Sequence, residues 1–188
     1  MSALTPLFDE HRLILRVTDA FENYLKQLPS DSEEVRQDLH RFVTFFREYV
    51  DLAHHEKEET VLMPAMVKAG CDWESEDFEH LRKDHNQERY LMRVIRQAAA
   101  QRGLWTGEDL RHLKSIGQEL IDFMRAHVDR ENTKIYPVAV ELLQGERAEE
   151  LSRAFEDFER ARRSHGYDGF LLEMADELVR DYSGVKVA

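Results

Sequence analysis

A single cysteine, Cys71, rules out an intramolecular disulfide and a thiolate cage, so any metal bound here has to be held by nitrogen and oxygen. Turn-formers are scarce as well, with eight glycines and four prolines in 188 residues. So few reversals disfavour a many-stranded sheet and point to long helices. No stretch approaches the ~18 consecutive apolar residues that a membrane span requires. The opening Met1-Ser2-Ala3-Leu4-Thr5-Pro6 has neither a basic region nor an apolar core, so no secretory signal is expected and a cytoplasmic setting follows by default. Positive charge is in deficit: 26 Lys and Arg against 38 Asp and Glu leave a net charge of -12. Such a surface repels phosphate backbones and anionic lipid, and it favours metal cations as partners. The length suffices for one buried core, or one domain with an appended segment.

Against this background one stretch occurs twice. His54-His55-Glu56-Lys57-Glu58-Glu59-Thr60-Val61-Leu62-Met63-Pro64 returns 73 positions later as His127-Val128-Asp129-Arg130-Glu131-Asn132-Thr133-Lys134-Ile135-Tyr136-Pro137. Both copies begin with His, carry an acid at the third place, a base at the fourth and Glu at the fifth, then place Thr and Pro identically. A His and a Glu four apart on an α-helix stand one turn above each other and can address one ion. Two such turns facing each other would make a dinuclear site.

The remaining sequence reads as the scaffold. Thr5-Pro6 is a helix start, and Leu7, His11, Ile14, Thr18, Phe21, Leu25 and Leu28 form an amphipathic seam. Pro29 ends that helix, and Ser30 to Glu33 is a capping box opening a second one. The second helix runs to Gly70 through Val35, Leu39, Phe42, Phe46, Val50, His54, Glu58 and Val61. Pro64 is expected to kink it opposite Thr60, whose hydroxyl is placed to help satisfy the freed backbone group. Ser75-Glu76-Asp77 opens a third helix with the seam Phe78, Leu81, His85, Glu88, Met92, Ile95 and Ala99. Thr106 caps a fourth, which carries Leu113, Ile116, Leu120, Met124, His127 and Glu131 and ends at Gly145. His11 and His85 are related by an offset of 74, close to that of the doubled motif. Short links make neighbours antiparallel, so the expected fold is all-α, an up-down-up-down four-helix bundle over 1–145. Antiparallel pairing then brings all four helices' histidines toward one end. Residues 146–188 are expected to form additional C-terminal helices, packed on the bundle or at a homo-oligomer interface.

Six residues thus share inward stripes: His11, His54, Glu58, His85, His127 and Glu131. Each half offers two imidazoles and one carboxylate, enough to anchor one ion of a pair. Imidazole suits iron, zinc, copper or nickel, and a carboxylate can bridge. Burying these groups without a cation would cost several kcal/mol for each unpaired charge. Other histidines fit less well. His80 lies five residues before His85, about 140° round an ideal helix, so it points away unless the helix is widened. His55 and Glu59 fall one step off the ligand face and are expected in solvent or behind the ligands, with Glu56 a weaker candidate for holding one. His40 and His112 sit about 21 Å from the doubled motif, at the far end. His165 falls in a glycine-flanked turn, and Tyr24, Tyr49 and Tyr90 read as core.

On these residues the chain resembles the hemerythrin-like, or HHE cation-binding, domain family over roughly residues 4–144. The resemblance implies a non-haem di-iron centre with Glu58 and Glu131 bridging and the four histidines terminal. Zinc and manganese are the alternative metals. It also implies small diatomic ligands and a role in binding or reacting with oxygen, peroxide or nitric oxide, in sensing iron, or in iron–sulfur repair. The chain begins directly at the first bundle helix, without the cysteine-bearing segment of the repair members, which argues against that last role. Hemerythrin itself has a fifth histidine, paired four apart on the third helix. The spacing of His80 and His85 departs from that pattern and argues against reversible oxygen carriage. A non-catalytic iron sensor or store, or a structural interaction module with an incidental metal, are the competing readings.

Overall fold

A computed structural model describes residues 2–28, 33–163 and 167–183. Helix α1 spans Thr5–Gln27 and α2 spans Glu33–Phe45. The chain then continues without a break through two π-helical stretches, π1 (Phe46–His55) and π2 (Glu58–Leu62), into α3 (Met63–Lys68). Helix α4 spans Glu76–Ala99, and α5 (Gly107–Arg130) runs through a third π stretch, π3 (Glu131–Ile135), into α6 (Tyr136–Leu142). Two further helices follow, α7 (Glu146–Arg163) and α8 (Tyr167–Asp181). The four long rods pack α1 on α5, α5 on α4 and α4 on α2, as an up-down-up-down bundle, and no strand occurs among the described residues.

The helix starts follow local chemistry. Thr106 and Asp109 form a reciprocal capping box at α5, and the Ser75 hydroxyl accepts from the Phe78 amide at α4. At α1 the start lies one residue earlier than the sequence suggests. Leu4 occupies the cap, while the Thr5 hydroxyl donates to the Ser2 carbonyl at 2.8 Å. The Pro29 break and the Ser30–Glu33 box fall outside the described residues.

At the turn where a proline kink is expected, the helix is widened. Proline has no amide to give the carbonyl four residues back. In each copy the turn before it shifts to bonds spanning five residues, Met63 N–H to Glu58 O and Tyr136 N–H to Glu131 O. The repeated threonines donate to carbonyls four residues back, Thr60 to Glu56 at 2.6 Å and Thr133 to Asp129 at 2.7 Å. A threonine hydroxyl does satisfy backbone here, though at the carbonyl one turn upstream rather than at its own.

Two apolar clusters lie on either side of a polar layer. One gathers Phe21, Phe42, Phe46, Leu120, Ile121 and Met124 with Leu171, Met174 and Leu178 of α8. The other gathers Leu7, Leu62, Met63, Phe78, Leu81 and Tyr136 with Leu151 and Phe155 of α7. Each rod crosses from one cluster to the other, and the histidines and glutamates sit at the crossing.

Candidate metal centre

The six residues singled out by the sequence are all brought together and all buried. Together with His55 they form two groups that share Glu58: His11, His54, Glu58 and Glu131, and His55, Glu58, His85 and His127. In each group one ligand atom per residue lies within 4.8 Å of every other. Adjacent donors on an ion with bonds of about 2.1 Å are about 3 Å apart and opposite ones about 4.2 Å, so these spacings match a coordination shell. The carboxylates face both groups. Glu131 sets Oε2 3.0 Å from His11 Nε2 and Oε1 3.4 Å from His127 Nε2. Glu58 Oε2 lies 3.8 Å from His54 Nε2 and 3.4 Å from His85 Nε2.

The hydrogen bonds around this layer obey the internal repeat. The acid preceding the first histidine of each half faces Nδ1 of the second: Glu10 Oε2 lies 2.8 Å from His54, and Asp84 Oδ2 lies 3.5 Å from His127. The base three places after that second histidine pairs with the same acid, Lys57 with Glu10 and Arg130 with Asp84. The residue after each shared glutamate reaches across to the other half. Glu59 Oε1 accepts from His85 Nδ1 at 2.6 Å, and Asn132 Oδ1 accepts from His11 Nδ1 at 2.8 Å. Nδ1–H bonds directed outward fix the tautomer and leave the Nε2 lone pairs pointing inward.

That arrangement fits a cation. With Nδ1 of both rings donating outward, the Nε2 atoms of His11 and His54 face each other at 3.0 Å. Two lone pairs at that separation repel unless a proton or a metal sits between them. Among the described residues, the buried side-chain atoms with no hydrogen-bond partner belong to His55, Glu58, His85, Glu88, His127 and Glu131. Several of these approach one another closely without the alignment of a hydrogen bond. Buried polar atoms are rarely left in this state, and a shared cation resolves the whole set at once.

The field of the carboxylates favours positive charge in this layer, carried either by a proton on an imidazole or by a cation that displaces it. Burial opposes protonation of His85, but the hydrogen-bonding carboxylates of Glu131, Glu58 and Glu59 outweigh it and hold its pKa well above the ordinary value. Burial likewise opposes the charged form of Glu131, and His127, His11 and His85 still hold it well below the carboxylate range. His55 is driven well below the usual imidazole value by burial and then by the fields of His85 and His127, so it presents a neutral nitrogen. Burial pushes Glu88 up to about 7. Burial and the neighbouring Glu58 raise Tyr136 well above the phenol range, so its hydroxyl keeps its proton and donates to Glu58 Oε1 at 2.6 Å.

His55 is the residue the sequence reading undervalued. An ideal α-helix would carry it 100° away from His54 and off the ligand face. It falls at the end of π1, where more residues share each turn and each advances by a smaller angle, and both rings point inward. His55 stacks on His85 with centroids 3.9 Å apart. The His-His doublet was the available signal, and the widening considered for His80 belongs to the preceding helix. His80, His40, His112 and Glu56 are exposed, and His165 lies outside the described residues. Tyr24 is core, Tyr49 is half-buried and Tyr90 is exposed, so the reading of Tyr90 as core is corrected. Glu59 stands behind a candidate ligand, one of the two placements expected of it.

The profile of the Hemerythrin HHE cation binding domain matches residues 2–139, a segment that runs from before α1 into α6 and contains every residue of both groups. Comparisons with curated proteins and with solved structures return no significant match. A match over most of the chain, together with buried clusters suited to a cation, places this protein in the hemerythrin HHE cation-binding domain family.

Proposed function

We propose that the protein is a cytoplasmic di-iron protein that binds or reacts with oxygen, peroxide or nitric oxide in sensing or stress response. His11 and His54 would hold one iron ion and His55, His85 and His127 the other, with Glu58 and Glu131 shared between them. The observation that carries this reading is the pair of buried His and Glu groups converging from all four rods, with unpartnered nitrogen and oxygen atoms on His55, Glu58, His85, His127 and Glu131. When bound, a ferrous pair supplies electrons and open coordination positions for a small ligand.

The chain's own groups supply the rest. Glu10, Asn132 and Glu59 hold the imidazoles of His54, His11 and His85 in the tautomer that turns Nε2 inward. The Tyr136 hydroxyl keeps a proton beside Glu58 and lies 3.2 Å from His11 Nε2, so a hydrogen-bond donor stands at the edge of the layer. Leu7, Leu62 and Met63 on one side, and Ile14, Val50 and Val128 on the other, keep bulk water away. No helix among the described residues is long and apolar enough to cross a membrane.

Elemental analysis of protein purified without added metal is expected to find iron. Ferrous loading followed by air is expected to develop a visible charge-transfer band. A colourless protein that takes up only zinc would overturn the proposal. An iron sensor without turnover is the second reading, supported by the position of the unpartnered atoms between the two apolar clusters, where metal removal would weaken packing on both sides. Negligible peroxide and nitric oxide turnover, combined with melting on chelation, would select it.

A further inference from the structure

Helices α7 and α8 lie beyond the segment that the family profile matches, yet α7 reaches the candidate metal centre at two points. The first is the backbone of π1. The Arg162 guanidinium donates from Nη1 to the Leu52 carbonyl and from Nη2 to the Glu48 carbonyl at 3.1 Å. These acceptors stand one turn apart inside the stretch that ends at His54 and His55. In an α-helix Leu52 O would accept from the Glu56 amide, but that amide donates to Asp51 and Ala53 instead. The π register therefore takes away Leu52's α-helical donor, and Arg162 supplies one in its place.

The second point is Lys57, which is 1% exposed and bonds both Glu10 and Glu159. Glu10 in turn orients His54. Phe155 and Phe158 of α7 flank the Lys57 ammonium at 6.0 Å from each ring centroid. The same helix thus touches both the backbone that aims the His54–His55 pair and the hydrogen-bond chain that fixes the His54 ring. Among the described residues the second half of the repeat shows no such brace. Its corresponding helix, α5, is regular α-helix through Arg130, and it turns one histidine inward.

We infer that α7 is a clamp on the metal centre: Arg162 is a positioning residue that holds π1 in the register aiming His55 inward, and Glu159, through Lys57 and Glu10, orients His54. This rests on the di-iron reading above, but its physical content can be tested without metal. Hydrogen exchange of the amides from 49 to 57 in the metal-free full-length chain is the direct readout. Replacing a charged donor on these carbonyls in Arg162→Ala is expected to speed their exchange by about tenfold or more relative to amides in α5. Arg162→Lys, which keeps a charge and a donor but not the fork, is expected to fall between. Arg160→Ala, on the same helix but paired only locally with Asp157, serves as the control and is expected to change nothing.

In the iron-loaded protein, Arg162→Ala is expected to reproduce the metal stoichiometry and visible spectrum of His55→Ala, and the double variant to look like either single one. Wild-type exchange in π1 for Arg162→Ala, or a wild-type spectrum with full metal content, would overturn the clamp. Should Arg162→Ala not fold, Arg162→Lys is held to the same standard, and wild-type exchange with a wild-type spectrum overturns the inference. A wild-type chain that binds no iron removes the di-iron reading, and the exchange experiment still decides whether Arg162 sets the register.

Discussion

The two halves of the bundle are built on one plan and differ at three places that matter. His55 in the first half stands where the second has Val128, while Glu88 and Tyr136 in the second stand where the first has Ile14 and Met63. His55 and Glu88 approach within 3.3 Å and add polar atoms beside His85 and His127, while Tyr136 stacks on His11 at the other group. The repeat therefore supplies a symmetric frame: four histidines, two glutamates and the acid–base pairs behind them. The departures make the two candidate ion positions unlike each other. His55, from the preceding rod, stacks on His85 with ring centroids 3.9 Å apart.

The largest effect should come from removing what the halves share. Glu58→Ala and Glu131→Ala are each expected to weaken metal binding more than about 100-fold, beyond the range typical of an outer partner. Both positions are then expected to lose their ions, measured as metal per chain after dialysis. A variant that keeps one ion at full occupancy would show that the carboxylate serves a single half. His55→Val makes the halves alike at the place of the symmetry-related Val128. It is expected to leave a folded protein that holds one ion firmly and the other weakly, with an altered visible spectrum. Two ions with an unchanged spectrum would mean that His55 is a packed core histidine and the centre is symmetric after all.

Next in size are the cross-half hydrogen bonds. Asn132→Ala removes the acceptor for His11 Nδ1, and Glu59→Ala that for His85 Nδ1. Each is expected to cost about 10-fold to 100-fold in metal affinity. Glu59 also receives Arg89 at 3.0 Å, and Arg89 is bound to Asp51 at 2.6 Å. Its loss disturbs a larger network, so Glu59→Ala is expected to be the worse of the two by competitive metal titration.

Much of this frame could be read from the residues. The doubled His-x-x-x-Glu turns and the seam positions of His11 and His85 specify which faces meet, because a helix has one period and short links leave few topologies. Even the outer pairs were visible in principle as the base after each motif histidine and the acid before His11 and His85. His55 was hidden because a 3.6-residue period was assumed through a stretch that does not have it. The widening depends on tertiary partners, including Arg162 from more than a hundred residues away, and no local pattern announces it. Tyr136 escaped notice because a tyrosine on an apolar stripe is indistinguishable from core until its hydroxyl has a partner.

A smaller effect tests how closely the first rod packs on the second half. Gly117 lets α5 approach α1, since a Cβ there would lie 2.4 Å from Leu25 Cδ1. Leu25 is 5% exposed, so its side chain would have to shift within the core to make room. Gly117→Ala is expected to destabilise the protein by about 1–3 kcal/mol in denaturant unfolding while leaving metal content unchanged, since the contact is remote from the polar layer.

The smallest effect lies at the start of α5. Backbone and hydroxyl bonds from Thr106 hold the Asp109 carboxyl below the usual aspartate value. A depressed carboxylate stabilises the fold at pH above its unfolded value, and the contribution fades as pH falls through the folded one. Asp109→Asn is therefore expected to melt slightly below wild type at neutral pH and to converge with it in strong acid. Because both proteins carry the same histidines and glutamates, protonation of the metal layer cancels from the difference. A gap between the two melting curves that persists unchanged into acid would mean that the amide and carboxylate cap the helix equally, and that the charge at this end of the second half contributes nothing.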